Sequence, residues 1–227
     1  MGSAMLVLLG QGLLHGVGPD HCLAIGSLAA RGGLREALRV AVRFGLGHTV
    51  VLAVLATMAV VAGVAIPARW ERALEVVGGL SLLALGVWTL VSQRGASLVP
   101  HVHADGSVHA HDGPEPEGVP AVEVLGPKAP GRWMAGVAGA VFGLSGVRGL
   151  VLLLPFATRQ HRGALIAGVL CFGLGVVVSM MAVGWLTQRA AQAASRRMAS
   201  ARAGLRVMVG VASVLCGAWW VVAHLEG

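Results

Sequence analysis

The chain has 227 residues, 56% of them hydrophobic and only 12% charged, with a mean hydropathy of +0.78. A water-soluble domain keeps about a quarter of its residues charged, so this composition excludes an ordinary soluble fold and points to a chain that lives in lipid. The formal charge of +7 does not indicate nucleic acid, because the arginines gather in short segments between apolar stretches and no aromatic-interleaved basic patch or groove-reading motif is present.

In chain order, apolar stretches at about 4–30, 44–66, 74–91, 134–156, 165–186 and 205–223 predict six transmembrane helices, since about 20 apolar residues cross a hydrocarbon core of about 30 Å. The 34 glycines suit close helix packing in lipid. No Lys or Arg precedes Arg31, so the first stretch lacks the basic flank of a signal peptide and is expected to stay as a helix. Gly16, Gly18 and Pro19 interrupt it. Proline removes an amide donor and clashes with the preceding turn, and glycine permits unusual backbone angles, so the helix should break between Gly16 and Pro19.

The chemistry gathers at this interruption. His15, Asp20 and His21 fall within seven residues, and His48 follows in the second span, in Phe44-Gly45-Leu46-Gly47-His48-Thr49. Ionisable side chains are costly inside a bilayer and usually face a cavity or a partner. In an unbroken helix, positions 15 and 20 would lie about 140° apart; a break can bring all three groups to one point. Three imidazoles and a carboxylate suit Ni(II), Co(II) or Zn(II) better than sulfur-seeking Cu(I) or oxygen-seeking Mg(II). The competing reading is a set of interhelical hydrogen-bonding residues. Cys22, Cys171 and Cys216 stand alone, with no Cys-x-x-Cys pair, so neither a redox couple nor a thiolate zinc site is indicated.

Between the third and fourth spans, residues 92–132 hold six of the nine prolines and four histidines in eleven positions: His101, His103, His109 and His111, with Asp105 and Asp112 nearby. Such a segment should be a flexible linker, and its imidazoles read as an auxiliary metal-collecting loop. His161 and His224 read as interfacial and structural, the six tryptophans as interface anchors, and the Arg-rich stretch 189–206 as a cytoplasmic surface helix. Twelve Lys and Arg follow the odd-numbered spans and four follow the even-numbered ones. The positive-inside rule then places the His-rich loop in the cytoplasm and both termini outside an inner (plasma) membrane.

The halves also resemble each other. Phe44-Gly45-Leu46-Gly47 returns as Phe172-Gly173-Leu174-Gly175 at an offset of 128, and Leu74, Val76, Gly79, Gly86 and Trp88 return as Leu205, Val207, Gly210, Gly217 and Trp219 at 131. Three spans per half is odd, so the halves must enter the bilayer from opposite sides. The expected architecture is an all-α membrane protein of six transmembrane helices in two inverted three-helix repeats, residues 1–93 and 133–227, joined by the His-rich loop at 94–132.

The spacing His15-x4-Asp20-His21 resembles the H-x4-D-H signature of the nickel/cobalt transporter family, and Phe-Gly-Leu-Gly-His48-Thr resembles that family's second motif, a Leu-Gly-His in the next span. The six-span layout with a central His-rich loop looks like the efflux branch. The resemblance implies that His15, Asp20, His21 and His48 select the metal, that Ni(II) or Co(II) is cargo, and that no cofactor is permanently bound. Uptake members carry an extra Asp where this chain has Gly18, and related members have a Pro-Cys-Pro-like break where this chain reads Gly143-Leu144-Ser145-Gly146-Val147-Arg148-Gly149.

Arg148, at the 128 offset from Asp20, fits three readings: a countercharge to Asp20 across the pseudo-two-fold axis, an anion clamp, or a side chain reaching an interface. A permanent cation beside a metal site opposes metal binding. The expectation is a secondary transporter of nickel or cobalt, with efflux slightly favoured by the cytoplasmic His loop. The alternatives are an oxyanion exporter using Arg148 and a membrane accessory protein that delivers nickel. No HExxH, CxxC or nucleophile motif supports an enzyme. Lipid and a divalent ion are the expected partners, nucleic acid is not one, and a homo-oligomer is left open.

Overall fold

A computed structural model describes residues 2–29, 33–62, 67–92, 99–102, 108–111, 133–146, 162–197 and 201–225. These form helices α1 (Gly2–Gly16), α2 (Pro19–Ala29), α3 (Leu34–Ala62), α4 (Ala68–Val91), α5 (Met134–Ser145), α6 (Arg162–Arg197) and α7 (Ala201–Leu225), with strands β1 (Val99–Val102) and β2 (Val108–His111) between α4 and α5. Four helices, α3, α4, α6 and α7, are long and apolar enough to cross a membrane, and α5 is a shorter apolar helix.

The protein is inside out relative to a soluble bundle. Leu46, Val50, Val54 and Met58 form an exposed stripe at four-residue spacing along α3, and Ile166, Leu170, Leu174 and Val178 do the same along α6. Continuous apolar stripes of this length facing outward are the mark of lipid contact rather than of a water-facing surface. This is an integral membrane protein.

Two helices run past the ends expected from hydropathy. α3 begins at Leu34 rather than near 44, taking in Arg35, Arg39 and Arg43, and α6 continues to Arg197. Arg, Ala and Gln are strong helix formers, so charge marks where lipid ends and not where the helix ends. Arg189 lies over the Trp185 ring, 5.5 Å from its centroid, an aromatic–cation pair suited to an interface. The polar segment also departs from expectation, because it contains a small antiparallel hairpin in which His101 pairs with His109 and Val99 with His111. Val99, Val102 and Val108 favour extended backbone, and the intervening Asp105-Gly106 is a hairpin-favouring dipeptide.

The interior is assembled through glycine. At the α4–α7 crossing, Gly79 faces Gly217 and Gly86 faces Gly210; a Cβ on Gly217 would lie 2.7 Å from the Gly79 carbonyl oxygen, and one on Gly86 2.8 Å from that of Gly210. In α1, Gly12 abuts the Phe172 backbone, while Gly139 of α5 abuts that of Phe44; Gly47 meets Gly136 and Gly175 meets Leu9. With lipid tails as apolar as the side chains, backbone proximity and van der Waals contact replace the hydrophobic effect as the force between helices.

Candidate metal centre

The helix break positions the site. α1 stops at Gly16, the Gly18 N–H donates to the His15 carbonyl (3.1 Å), and the Cys22 N–H donates to the Gly18 carbonyl (2.9 Å) to start α2. Pro19 occupies the first helical position, where its missing N–H costs nothing. His15 thus ends one helix and His21 opens the next. In a continuous helix they would sit about 120° apart and about 9 Å along the axis; here their ring centroids are 5.0 Å apart.

His48, at the midpoint of α3, completes a triangle, 5.2 Å from His15 and 4.7 Å from His21 between ring centroids. His21 and His48 are buried and His15 is half-buried. One ligand nitrogen from each ring lies within 4.8 Å of the other two. Three nitrogens held by one ion at about 2.1 Å lie about 3.4–3.6 Å apart, so the widest pair of the triangle must draw in by about an ångström to close on a metal. His15 Nε2 and His48 Nε2 are 3.0 Å apart and share one hydrogen. His21 Nε2 has no hydrogen-bond partner among the described residues, and an unsatisfied buried nitrogen is costly unless something binds it.

Asp20 occupies a different place from the three rings. Its Oδ1 lies 2.8 Å from His21 Nδ1. A carboxylate on Nδ1 favours the tautomer that offers Nε2 to a metal. Gly18 makes room for it, since a Cβ there would lie 2.6 Å from Asp20 Oδ1 and 3.3 Å from His21 Nδ1. A side chain at position 18 would force Asp20 to shift in this arrangement.

Around the imidazoles stand three of the chain's four phenylalanines. Phe172 packs on His15 (5.6 Å), Phe44 stacks on His48 (6.4 Å), and Phe44 and Phe142 both approach His21 (6.2 Å). The end of α5 closes another side. A Cβ on Gly146 would lie 3.4 Å from both His15 Nε2 and His48 Cε1. Apolar walls lower the local dielectric and strengthen any contact with an ion.

Of the other sequence candidates, His103, Arg148 and His161 lie outside the described residues, and His101, His109 and His111 are placed only by their backbone register in the hairpin. His224 Nδ1 lies 2.8 Å from the Trp220 carbonyl and the ring stacks on Trp220. Sequence reasoning passed over Glu75, a buried acid in α4 whose Oε2 accepts a hydrogen bond from Trp220 Nε1 at 3.0 Å. It also passed over the role of the phenylalanines, although the repeated Phe-Gly-Leu-Gly was visible.

Over 174 residues, covering 75% of this chain and 69% of the relative, the sequence is 26% identical to the urease accessory protein UreH of Bacillus sp. (strain TB-90). No protein-family model matches the chain, and no solved structure matches it.

Proposed function

We propose that this protein moves a divalent transition metal, nickel or cobalt, through the membrane, holding it on His15, His21 and His48 with Asp20 behind His21. One observation carries the reading: the end of α1, the start of α2 and the middle of α3 bring three imidazoles within 4.8 Å of one another in an apolar interior. Nitrogen donors suit Ni(II) and Co(II), and only unprotonated nitrogens bind, so uptake of the ion releases or relocates protons. The hydrogen shared by His15 Nε2 and His48 Nε2 is the first to move. It leaves, or it passes to the buried Nδ1 of His48.

The six-span inverted plan gives this site a way to open alternately. Support comes from packing contacts that exchange between the halves at offsets of 127 to 131 residues. Gly12 against Phe172 matches Gly139 against Phe44. Gly16 against Val176 and Ser179 matches Gly143 against His48 and Val51, and the Gly79–Gly217 contact matches Gly210–Gly86. Two such halves rocking about a central site is the usual working of inverted-repeat carriers. The charge bias places both termini outside, the cytoplasmic His-rich loop favours efflux over uptake, and the loop histidines serve as collectors.

A second reading, a membrane accessory that passes nickel to an enzyme under assembly, is favoured by the relative's name, because ureases are nickel enzymes. Both readings use the same imidazoles and differ in where the ion goes. The test is accumulation of radioactive nickel and cobalt in cells with and without the protein, alongside Co(II) titration of the purified chain followed by its visible spectrum. His21→Ala and Asp20→Ala are each expected to abolish the change in accumulation at normal membrane abundance. Full activity in both variants refutes the site. A requirement for the protein in urease activation, without net metal movement, selects the accessory reading.

A further inference from the structure

We infer that the β1–β2 hairpin is a second metal site, a three-imidazole chelate formed by His101, His109 and His111 on one face of the ladder. The inference deepens the collector role given to the loop above and rests on that reading for the class of ion, a divalent transition metal. Its own footing is the strand register.

The register sorts the hairpin into two faces. Val99 pairs with His111, Pro100 with Ala110, His101 with His109 and Val102 with Val108. Successive residues of a strand alternate between faces, and residues paired across an antiparallel ladder share one. One face therefore carries Val99, His101, His109 and His111, and the other carries Pro100, Val102, Val108 and Ala110. Every histidine of the two strands falls on the first face, and the second is wholly apolar. A slip of one residue in the pairing would set His101 on the face opposite His109 and His111. The sequence pattern and the pairing thus agree on one register.

The separations suit a chelate. Residues directly opposite have Cβ atoms about 4.5–5.5 Å apart, and diagonal neighbours lie about 7–8 Å apart, still within reach of aromatic and long side chains. His101 and His109 hold opposite positions, and His101 and His111 hold diagonal ones. His109 and His111 are two residues apart on β2, a rise of about 6.8 Å. Three imidazoles are a nitrogen set for Ni(II), Co(II) or Zn(II). With three protein ligands the fourth tetrahedral position is left to water, so the ion stays exchangeable, as a collector requires. A lone two-stranded hairpin is only marginally stable in water, and an ion bridging both strands adds its binding free energy to folding. Ion and ladder support each other, which imidazoles acting singly along a linker would not do.

The experiment uses the full chain in detergent, with bound Co(II) counted by equilibrium dialysis and affinity read by titration. The wild type is expected to hold two ions, one at the triangle and one on the hairpin, and His21→Ala to hold one, on the hairpin. In the His21→Ala background, His109→Ala combined with Ala110→His keeps the number of imidazoles and moves one of them to the apolar face. Hairpin affinity should fall about tenfold or more, because even an outer-sphere partner is worth about 10- to 100-fold. His101→Val combined with Val102→His should do the same from the other strand. Amide hydrogen exchange over residues 99–102 and 108–111 should slow when Co(II) is added to His21→Ala, and should not slow in the two exchanged variants. Undiminished affinity in either exchanged variant overturns the one-face site and leaves histidines that act without register. Co(II) binding that leaves hairpin exchange unchanged overturns it too. No ion on His21→Ala overturns the hairpin site and leaves the triangle standing. One ion on both the wild type and His21→Ala keeps the hairpin site and sinks the triangle.

Discussion

The imidazole triangle and the Glu75–Trp220 pair both interrupt an apolar interior, and they are built on opposite plans. The triangle draws one side chain from each of three helical segments, rings them with phenylalanine, and points nitrogens at one another. The pair sits on the α4–α7 seam, where one indole N–H ties down one carboxylate across a glycine-packed crossing. Neutral rings can be buried at modest cost, and three of them together make a strong chelate for a borderline metal. A single acid costs more to bury and chelates poorly. The difference teaches that one polar group is arranged as a chelating set and the other as a tie between two helices.

The largest expected effect comes from dismantling the triangle. His21→Ala or His48→Ala leaves two imidazoles, and Co(II) affinity should fall by about 100-fold or more, beyond the 10- to 100-fold typical of losing an outer-sphere partner. A Co(II) titration that shows either variant within a few fold of wild type would remove the contrast between the two polar groups. Next comes Gly146→Val. The added methyls enter the space between His15 and His48, and overpacking of this kind costs about 1–3 kcal/mol. Affinity should drop about tenfold, whereas Gly146→Ala, whose Cβ meets the rings at 3.4 Å, should stay near wild type. An unchanged Gly146→Val would separate the tip of α5 from the site.

Asp20→Asn ranks third. With Asp20 behind His21 and not on the ion, its loss should weaken Co(II) binding by about tenfold, within the range for outer-sphere carboxylates and well short of His21→Ala. A loss equal to that of His21→Ala would move Asp20 into direct contact with the metal, and the triangle would become a four-ligand site.

Much of this was legible in the sequence, and the parts that were not failed for identifiable reasons. Gly16, Gly18 and Pro19 announced the break because proline and glycine act on the local backbone, whatever surrounds them. His15, Asp20, His21 and His48 stood out because ionisable groups are rare in apolar stretches. Glu75 escaped because hydropathy set the third span at 74–91, which makes an acid at 75 look like an end marker. Its burial comes from the α4–α7 crossing and the Trp220 hydrogen bond, which hydropathy along one helix does not register. Phe44 and Phe172 were seen as a repeat, but which faces they share with His15 and His48 depends on how α1, α3 and α6 cross, and crossing geometry is a tertiary property.

The smallest effect provides the control. Ser27 Oγ and Ser213 Oγ lie 3.2 Å apart between α2 and α7. Ser213 already spends its single hydrogen on the Val209 carbonyl at 2.8 Å, so Ser27 must be the donor between the two hydroxyls. Ser27→Ala then removes one interhelical bond and leaves Ser213 still donating, which should cost about 0.6 kcal/mol by the average for such bonds in membrane proteins. Ser213→Ala removes the acceptor and strands the Ser27 hydroxyl at a buried crossing, so it should cost more. Thermal unfolding in detergent ranks the two, and Co(II) affinity should not move in either. A larger loss in Ser27→Ala than in Ser213→Ala would mean that the hydroxyl hydrogens run the other way. A shift in Co(II) affinity would mean that the α2–α7 crossing sets the orientation of His21, because α2 carries both Ser27 and His21, and a purely structural polar contact would then be part of the metal site.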